Sequence, residues 1–366
     1  MKAKTIKLGM DVRMIEHSGI GVRIRNILKF WKDRNDIEIY LFGNPDTISA
    51  YPLPLYKEII PYRVPIYSVR EWLGHPRMRE MDLLDIPHFN APLVYIQRCQ
   101  VTIHDLIPYV MKQYHSSPLK RLYLHLVLPR VLKHAHRILT VSEYTRKDIL
   151  RVFPGLTREI QVAPNGIDHA LYRKQPQSKV ETFRRKYNLP KHFFLTVGIG
   201  KGHKNQEFLL ECMQEEWRRN PNLGPLAIAG TGGVVPEYLR QIYEKIPNRL
   251  LFLPRIDEVE MPLLYQACDL LIYPSLYEGF GFPVAEASAV STLVLSSNAT
   301  VLPEVLGEGA IFFNPYSKED FSEKFHTALL LSSSERRRLL KLSKERVRTF
   351  RWEKTVERIQ DGIAFF

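Results

Sequence analysis

Two glutamates flank a glycine-rich loop in the carboxy-terminal half of the sequence. Glu278 and Glu286 are separated by seven residues, among which are Gly279, Phe280 and Gly281. An ionised carboxylate only accepts hydrogen bonds, so it suits the hydroxyl groups of a sugar or a ribose, and glycines let a ligand approach backbone N–H groups. The segment predicts a site for a polyhydroxylated ligand. The alternative interpretation is a pair of solvated glutamates near a turn.

The loop stands between a strand pattern and a helix pattern. The apolar run Leu270–Tyr273 precedes it, and Pro283 suits the first turn of a helix. The dipole and the free N–H groups of a helix amino terminus favour phosphate oxygens or a polar sugar. We therefore expect a helix that begins at Pro283, carries Glu286 in its first turn and directs its amino terminus at the ligand.

Strand-like apolar runs alternate with helix-like periodic runs along the chain. This order is typical of an α/β protein in which crossover helices join parallel strands, and ligands bind at the carboxyl ends of such strands. The predicted strands are Ile6–Gly9, Ile37–Phe42, Gln100–Thr102, Ile138–Val141, Phe193–Val197, Pro225–Ala229, Leu250–Phe252, Leu270–Tyr273, Thr292–Leu295 and Ala310–Phe312. The predicted helices include Val22–Trp31, Pro118–His136, Asn205–Arg219, Val235–Lys245 and the region from Ser334 onward.

The length of 366 residues indicates two domains, because it exceeds what one hydrophobic core usually serves. Pro164, Asn165 and Gly166 mark a turn between the two series of strands. We predict domains over residues 1–168 and 169–349, with a carboxy-terminal helix at about 350–366 that packs back on the first domain.

The two-glutamate segment resembles the signature of glycosyltransferase family 4, and other segments match that family in order and spacing. The matching segments are Asp11 with Gly19-Ile20-Gly21, Thr102–Pro108, Thr140–Glu143, Pro164–Asp168, Val197–Asn205 and Tyr273–Glu286. The resemblance implies a retaining, nucleotide-sugar-dependent enzyme of the GT-B fold, with two Rossmann-like domains whose parallel sheets face each other across a cleft. It implies an amino-terminal acceptor domain and a carboxy-terminal donor domain. After Glu286 the family usually has Gly-x-Pro-Val, where this sequence has Ser291 and Leu293 in place of Gly and Pro.

The resemblance implies that the loop from Gly198 to Lys204 binds the donor diphosphate. A lysine here neutralises a leaving group whose charge grows in the transition state. His203 stands where the family usually has arginine, and a histidine can be neutral at pH 7, so we expect Lys204, alone or with Lys201, to carry more of the charge. The resemblance also gives Glu286 the ribose hydroxyls and Glu278 the transferred sugar, a contact that makes Glu278 a predicted catalytic residue. The alternative for Lys204 is a surface lysine in a turn.

His104 is the second predicted catalytic residue. It follows a strand of the first domain, and the resemblance places it toward the reacting sugar, where it hydrogen-bonds a hydroxyl of the sugar or the acceptor. A lone histidine is more often structural, and we expect Asp105 to orient the loop backbone or His104. Gly21 at the start of the first helix is predicted to approach the donor phosphate or the acceptor. Arg23 and Arg25 either contact an anionic acceptor or form a solvated helix face.

The net charge of +13 is concentrated in the amino-terminal half, where residues 1–170 carry +9 and residues 171–366 carry +4. This excess suits a phospholipid surface, a lipid-linked phosphate or nucleic acid, and the alternative is charge that serves only solubility. The segment 118–137 mixes apolar and basic residues and is either a helix on an anionic membrane or a core helix with a basic solvent face. We expect Pro129 to kink or divide it.

The sequence has three widely spaced cysteines, no pattern of metal ligands, no apolar core after the lysines of its amino terminus and no membrane-length apolar run. These features predict a cytoplasmic protein, peripheral at the inner face of the membrane, without a metal or another cofactor. We expect a hexose, mannose from GDP-mannose as first choice, to pass to a saccharide or lipid-linked saccharide. The alternatives are a UDP-sugar donor, an inactive relative acting as a binding subunit, and a non-catalytic basic protein that binds nucleic acid or anionic surfaces. The chain lacks the aromatic-rich basic pattern of nucleic-acid modules, and no nucleic acid is expected.

Overall fold

The chain divides into two compact units in a computed structural model that describes residues 5–32, 34–111, 118–198 and 200–363. Unit 1 comprises residues 1–166 and 351–366, and unit 2 comprises residues 167–350. The division falls directly after Gly166, in the turn that the sequence marks with proline, asparagine and glycine.

Unit 1 is built on a seven-stranded parallel sheet of strand order β3-β2-β1-β4-β5-β6-β7. Its strands are β1 Ile6–Asp11, β2 Ile37–Gly43, β3 Glu58–Pro61, β4 Leu83–Ile86, β5 Cys99–Ile103, β6 Arg137–Thr140 and β7 Gln161–Val162. Its helices are α1 Ser18–Lys29, α2 Pro45–Ser49, α3 Ile107–Val110, α4 Pro118–His134, α5 Glu143–Val152 and, from the carboxy-terminal end of the chain, α14 Trp352–Asp361.

Helices cover both faces of this sheet, which is why its central strands are apolar throughout. Ile27 of α1 and Ile359 of α14 belong to one buried cluster with β1 and β2. Val127 and Val131 of α4 belong to another with β4 and β5. Helix α14 is thus part of the core of unit 1.

The described side chains of α4 support the interpretation as a core helix rather than a membrane-surface helix. Tyr123, Val127 and Val131 are buried in the core, while Arg130 and Lys133 are exposed. The helix runs through Pro129 without being divided there. Within the described residues, no helix has the length and apolar character needed to cross a bilayer.

Unit 2 is built on a six-stranded parallel sheet of strand order β10-β9-β8-β11-β12-β13. Its strands are β8 Phe194–Val197, β9 Leu226–Ala229, β10 Leu250–Phe252, β11 Leu270–Tyr273, β12 Val294–Ser297 and β13 Ile311–Phe313. Its helices are α6 Gln177–Lys186, α7 Gln206–Arg219, α8 Arg240–Lys245, α9 Met261–Ala267, α10 Phe282–Ala289, α11 Leu302–Leu306, α12 Lys318–Leu330 and α13 Ser333–Val347.

All six strands of unit 2 were expected from the sequence, but three strands of unit 1 were not. The edge strand β3 ends in Pro61, and β7 has only two residues, so neither gives a periodic signal. The central strand β4 carries Asp85, whose carboxylate accepts a hydrogen bond of 3.0 Å from Gln100 inside the sheet. A charged residue in a four-residue strand conceals the apolar pattern.

The departure from the family pattern after α10 leaves a strained turn. Ser291, which stands where the family has glycine, adopts a φ of 66° between α10 and β12. A left-handed conformation costs a residue with a Cβ about 1–2 kcal/mol. The turn therefore forms without glycine, at a cost in stability.

We predict that Ser291→Gly raises the free energy of unfolding of unit 2 by about 1 kcal/mol, because it relieves this conformation. Chemical denaturation or the melting temperature measures the change. Ser178→Gly is the matched control, since Ser178 is an exposed residue of α6 and glycine there should lower stability. A Ser291→Gly protein no more stable than the parent would show that the turn is unstrained.

Candidate active site

The loops that carry Lys204 and Glu278 leave neighbouring strands of the unit 2 sheet. Lys204 follows β8 and Glu278 follows β11, and these two strands are paired. From β8 the chain builds the sheet outward through β9 and β10, and from β11 it builds in the other direction through β12 and β13. Such a switch point opens a crevice at the carboxyl ends of the strands.

Lys204 and Glu278 form an ion pair at this switch point. Nζ of Lys204 lies 2.6 Å from Oε1 of Glu278, and the two side chains are 17% and 12% exposed. Tyr273 places its hydroxyl 2.8 Å from both groups, where it accepts from the lysine and donates to the glutamate. Ser275 donates a third hydrogen bond, of 2.6 Å, to the same carboxylate oxygen. The sequence did not reveal Tyr273 and Ser275, although both stand in the signature segment.

These contacts keep Glu278 ionised. Burial opposes its charge, but the ammonium of Lys204 and the hydroxyls of Ser275 and Tyr273 outweigh burial and hold the pKa of Glu278 below its ordinary value. Lys204 is thus a partly buried cation with a defined partner, not a surface lysine in a turn.

The glycine loop before Lys204 is held open by its conformation and by side chains. Gly198 and Gly200 have φ of 90° and 81°. A Cβ on Gly198 would lie 3.5 Å from Cε of Lys204, an ordinary contact distance, so the positive φ rather than a lack of space favours glycine here. The hydroxyl of Tyr238 accepts from the N–H of Gly200 at 3.2 Å and donates to the Gln206 side chain. That side chain in turn donates to the carbonyl of Gly198.

His203 connects the two loops through its backbone. Its carbonyl accepts from the N–H of Leu276 at 2.7 Å, and the Ser275 hydroxyl, whose one proton is donated to Glu278, lies 3.2 Å from the same carbonyl oxygen. The histidine itself is only 5% exposed. The connection fixes the loop after β8 against the loop after β11, which sets the position of Lys204.

The Gly-Phe-Gly segment shapes the start of α10. Gly281 caps the helix with a φ of 85°, and Pro283 lies in the first turn as expected. The ring of Phe280 is buried against Phe282 and Phe350, with ring centres 5.1 and 5.3 Å apart. Phe280 therefore offers a ligand its backbone rather than its ring. Gly279, the remaining glycine of the segment, is also buried.

Glu286 occupies an environment opposite to that of Glu278. The helix begins at Phe282, one residue before the expected start, so Glu286 is its fifth residue and lies in the second turn, not the first. The glutamate is 9% exposed, and its Oε2 accepts a hydrogen bond of 2.7 Å from the hydroxyl of Tyr265. Burial, only partly offset by hydrogen bonds from Tyr265 and Tyr172, raises the pKa of Glu286 to about 7. The two glutamates thus have pKa values shifted in opposite directions.

His104 lies in unit 1, directly after β5, and is partly buried. Its Nε2 lies 2.8 Å from the carbonyl oxygen of Pro87, so Nε2 carries the proton and Nδ1 the lone pair. Burial, with a contribution from Arg23, lowers the pKa of His104 to about 3. It is a neutral hydrogen-bond acceptor. Asp105 accepts 3.0 Å from the N–H of Ile107, which confirms that it orients the loop backbone.

The remaining predicted residues of unit 1 make close intramolecular contacts. A Cβ on Gly21 would overlap the carbonyl of Ile15, so glycine here is needed by the turn before α1. Arg23 is fully buried and donates to the carbonyl of Ala163 at 3.0 Å and to the Asn165 side chain at 2.8 Å. The expectation of a solvated face, or of an acceptor contact, is wrong for Arg23, because protein encloses its guanidinium.

A buried ionic cluster at the carboxyl ends of β1 and β4 was missed. Arg13 lies 2.6 Å from Asp11 and 2.9 Å from Glu71. Nε2 of His88 lies 3.7 Å from Oδ2 of Asp11, and the hydroxyl of Tyr123 donates a hydrogen bond of 2.8 Å to Glu71. The Asp-x-Arg spacing directly after an apolar strand was the available signal. The cluster anchors the turn that leads to α1.

The described residues contain no group of three or more histidines, cysteines, aspartates or glutamates that could hold a metal ion. In unit 2 the charged groups of the site are the ammonium of Lys204, the ionised carboxylate of Glu278 and the carboxyl of Glu286, whose pKa is about 7.

Two family models match the chain. Residues 17–171 match Glycosyltransferase Family 4, and residues 179–346 match Glycosyl transferases group 1. The O-antigen chain mannosyltransferase B of Escherichia coli is 29% identical over 262 residues, which cover 69% of this chain and 68% of the relative. The O-antigen chain mannosyltransferase RfbU of Salmonella typhimurium is 26% identical, over 62% of this chain and 59% of the relative. The serotype-specific mannosyltransferase WbdA of E. coli is 26% identical over 72% of this chain, but the match spans only 32% of WbdA.

Solved structures confirm the fold. Anabaena Alr3699/HepE in complex with UDP-glucose superposes with a TM-score of 0.78 at 16% identity, covering 99% of this chain and all of that chain. Sucrose-phosphate synthase from Thermosynechococcus elongatus gives 0.76 at 19% identity, covering 97% and 98%. Both are glycosyltransferases of the GT-B fold, and the expected fold class is confirmed.

We predict that Glu286→Gln stabilises the protein above neutral pH. The ordinary pKa of the side chain is 4.5, and in the folded protein it is about 7. Between these values the folded chain holds more protons than the unfolded chain, so the free energy of unfolding falls as pH rises. The loss is complete above pH 7 and is on the order of 3 kcal/mol.

Denaturation at pH 5 and pH 8 checks this, and the advantage of Glu286→Gln over the parent should grow between the two. Glu278→Gln is the matched control. The pKa of Glu278 is lowered, so its charge stabilises the fold at both pH values and the variant should gain no such advantage. An advantage of Glu286→Gln that is equal at both pH values would contradict the assignment.

Proposed function

We propose that this chain, which belongs to the glycosyltransferases defined by the family 4 and group 1 domains, catalyses the retaining transfer of a hexose from a nucleotide-diphosphate sugar. The observation that carries the proposal is the Lys204–Glu278 ion pair beside the buried carboxyl of Glu286. Three groups follow the paired strands β8 and β11. Lys204 is the cation for a diphosphate, Glu278 is the charged acceptor for sugar hydroxyls, and Glu286 is the carboxyl for ribose hydroxyls.

The donor displaces one partner of the ion pair. The diphosphate competes with Glu278 for the ammonium of Lys204, and the start of α10 adds backbone N–H groups to its oxygens. Glu278 is then released to accept hydrogen bonds from the transferred sugar. Donor binding thus replaces the contact between Lys204 and Glu278 by two others, from Lys204 to the diphosphate and from Glu278 to the sugar. Because Lys204 is already largely buried in the free protein, the donor does not bear the full cost of removing it from water.

In the transfer step the bond between the anomeric carbon and the diphosphate oxygen breaks. The acceptor oxygen forms the new bond on the same face of the sugar, and its proton passes to the departing phosphate oxygen. Lys204 stabilises the charge that grows on the diphosphate. Nδ1 of the neutral His104 accepts from a hydroxyl of the acceptor or the sugar. No residue is required as a covalent nucleophile, and no metal or other cofactor is assigned a role.

Mannose from GDP-mannose is the proposed donor, because the relatives from E. coli and Salmonella are named as mannosyltransferases. Those relatives are named for the O-antigen chain, which supports a saccharide or lipid-linked saccharide as the acceptor. A UDP-sugar is the alternative donor. Thermal shift with GDP, UDP, ADP and dTDP in the presence of EDTA identifies the base, since ligand at 100 times its Kd adds about 2.7 kcal/mol to stability.

The kinetics of two variants test the assignment. Glu278→Gln should lower kcat about 10- to 100-fold, the loss of a charge-assisted hydrogen bond that strengthens in the transition state. It should keep or tighten nucleoside diphosphate binding, because Lys204 loses its competing partner. Glu286→Gln should mainly raise the KM for the donor, because the ribose is held alike before and during the reaction.

Steady-state rates with the donor that the screen identifies, beside calorimetric titration of the nucleoside diphosphate, distinguish these outcomes. If Glu278→Gln loses nucleotide affinity and keeps kcat, the roles are reversed. If none of the four nucleotides binds, the proposed function itself is wrong.

A peripheral contact with an anionic membrane is proposed from the charge of the sequence, since residues 1–170 carry a net +9. Flotation with vesicles that contain an anionic phospholipid should show binding at low salt and release at high salt, because the Debye length falls from about 10 Å at 0.1 M to 3 Å at 1 M. Neutral vesicles are the control. Binding that salt does not weaken would exclude an electrostatic contact.

A further inference from the structure

Glu286 is a buried carboxyl whose hydrogen-bond donors are tyrosine hydroxyls. Tyr265, which is fully buried, donates a hydrogen bond of 2.7 Å to Oε2, and the hydroxyl of Tyr172, which is 7% exposed, also favours the ionised carboxylate. The two rings lie 6.5 Å apart. Tyr172 follows the turn at the start of unit 2, and Tyr265 belongs to α9, so two separate elements converge on one side chain of α10.

No cation offsets the charge of this carboxyl within the described residues. The groups that act on it are Tyr265, Tyr172 and the carboxylate of Glu258, which precedes α9 and repels a second negative charge. The charge of Glu286 also contributes to raising the pKa of Tyr273 on β11. The nearby cation Lys204 is committed to Glu278.

The helices packed on the other sides of α10 direct their charges elsewhere. On α13, Arg346 donates to the carbonyl of Glu304 on α11 at 3.1 Å and lies over the ring of Phe350. Arg336, also on α13, donates to the carbonyl of Asp269 at 2.9 Å. A buried carboxylate without a cation is costly, and it is relieved either by a proton or by further hydrogen-bond donors.

A nucleotide sugar supplies such donors, because its ribose presents hydroxyl groups and no proton acceptor stronger than the carboxylate. We infer that the donor binds with Glu286 ionised, that Tyr265 and Tyr172 are the positioning residues that hold this carboxylate toward the ribose, and that donor binding therefore releases the proton from those molecules in which Glu286 carries one. The inference rests on the proposed function, which provides the ribose.

The electrostatics of the free protein agree with this geometry. The pKa of Glu286 is about 7, first because of burial, so at neutral pH about half of the molecules carry the proton that the donor must displace. Loss of the Tyr265 hydroxyl would remove one hydrogen bond to the ionised form and raise that pKa further. A residue that only supports the fold would leave the pH at which binding weakens unchanged.

The test is calorimetric titration with GDP-mannose and with UDP-glucose between pH 6 and 8.5. Nucleotide sugars are the probes because the terminal phosphate of a free nucleoside diphosphate is itself expected to titrate near pH 6, as other phosphate monoesters do, whereas the diphosphate of a nucleotide sugar has no such group. For the sugar that binds, Kd should be constant above a midpoint near pH 7 and rise by up to about tenfold per pH unit below it.

Three variants make the result specific. Glu286→Gln should bind weakly with no midpoint, and Tyr265→Phe should move the midpoint to higher pH. Tyr187→Phe is the matched control, because Tyr187 donates an equivalent hydrogen bond, of 2.7 Å, to Glu260 at the surface of the same unit. It should keep the parent profile.

A flat pH profile for the parent, a midpoint that persists in Glu286→Gln, or identical midpoints for Tyr265→Phe and Tyr187→Phe would each overturn the inference. In those cases nucleotide sugar still binds and the proposed function stands. If neither nucleotide sugar binds at any pH, the proposed function fails and the inference fails with it.

Discussion

The ion pair between Lys204 and Glu278 is the interaction on which the organisation of unit 2 depends. Both side chains are largely removed from water, and the buried hydroxyls of Tyr273 and Ser275 complete their coordination. Breaking a buried pair by removing one partner costs about 3–5 kcal/mol, so the loops after β8 and β11 are held in one arrangement. The backbone hydrogen bond from Leu276 to His203 holds the same two loops together. The cation of the site is thus already in place, and in the proposed function the donor diphosphate takes over its partner's position.

The contrast between Glu278 and Glu286 follows from where each carboxyl finds its donors. Glu278 faces an ammonium and stays ionised, whereas Glu286 faces tyrosine hydroxyls and titrates near neutrality. Two carboxyl groups in one segment can therefore take different parts in one reaction. In the proposed reaction Glu278 provides a permanent charge for the sugar, while Glu286 gains its full acceptor capacity only when it loses a proton.

Much of the fold could be predicted from the sequence, because parallel strands that are buried on both faces have continuous apolar sequences. This holds for all six strands of unit 2, and it fails for β4, where Asp85 accepts a hydrogen bond from Gln100 that no local pattern contains. The glycines and glutamates of the site could be located for the same reason, since turn chemistry and helix starts are local properties.

The partners of the site residues could not be predicted, because they come from distant parts of the chain. Tyr265 is 21 residues from Glu286, and Lys204 is 74 residues from Glu278. The burial of Arg23 depends on Asn165, which is 142 residues away. The ring of Phe280 packs on Phe350, a contact that only the folded chain shows. Contacts between distant parts of the chain therefore determine which charges are paired. They also determine the pKa shifts of Glu278 and Glu286.

The most direct test of the central claim is a crystal structure of the protein with the nucleoside diphosphate that stabilises it. The account predicts a diphosphate oxygen within about 3 Å of Nζ of Lys204, ribose hydroxyls within hydrogen-bond distance of Glu286, and Glu278 separated from Lys204 or sharing it with the ligand. A nucleotide bound away from the loops after β8 and β11, with the Lys204–Glu278 distance still 2.6 Å, would contradict it.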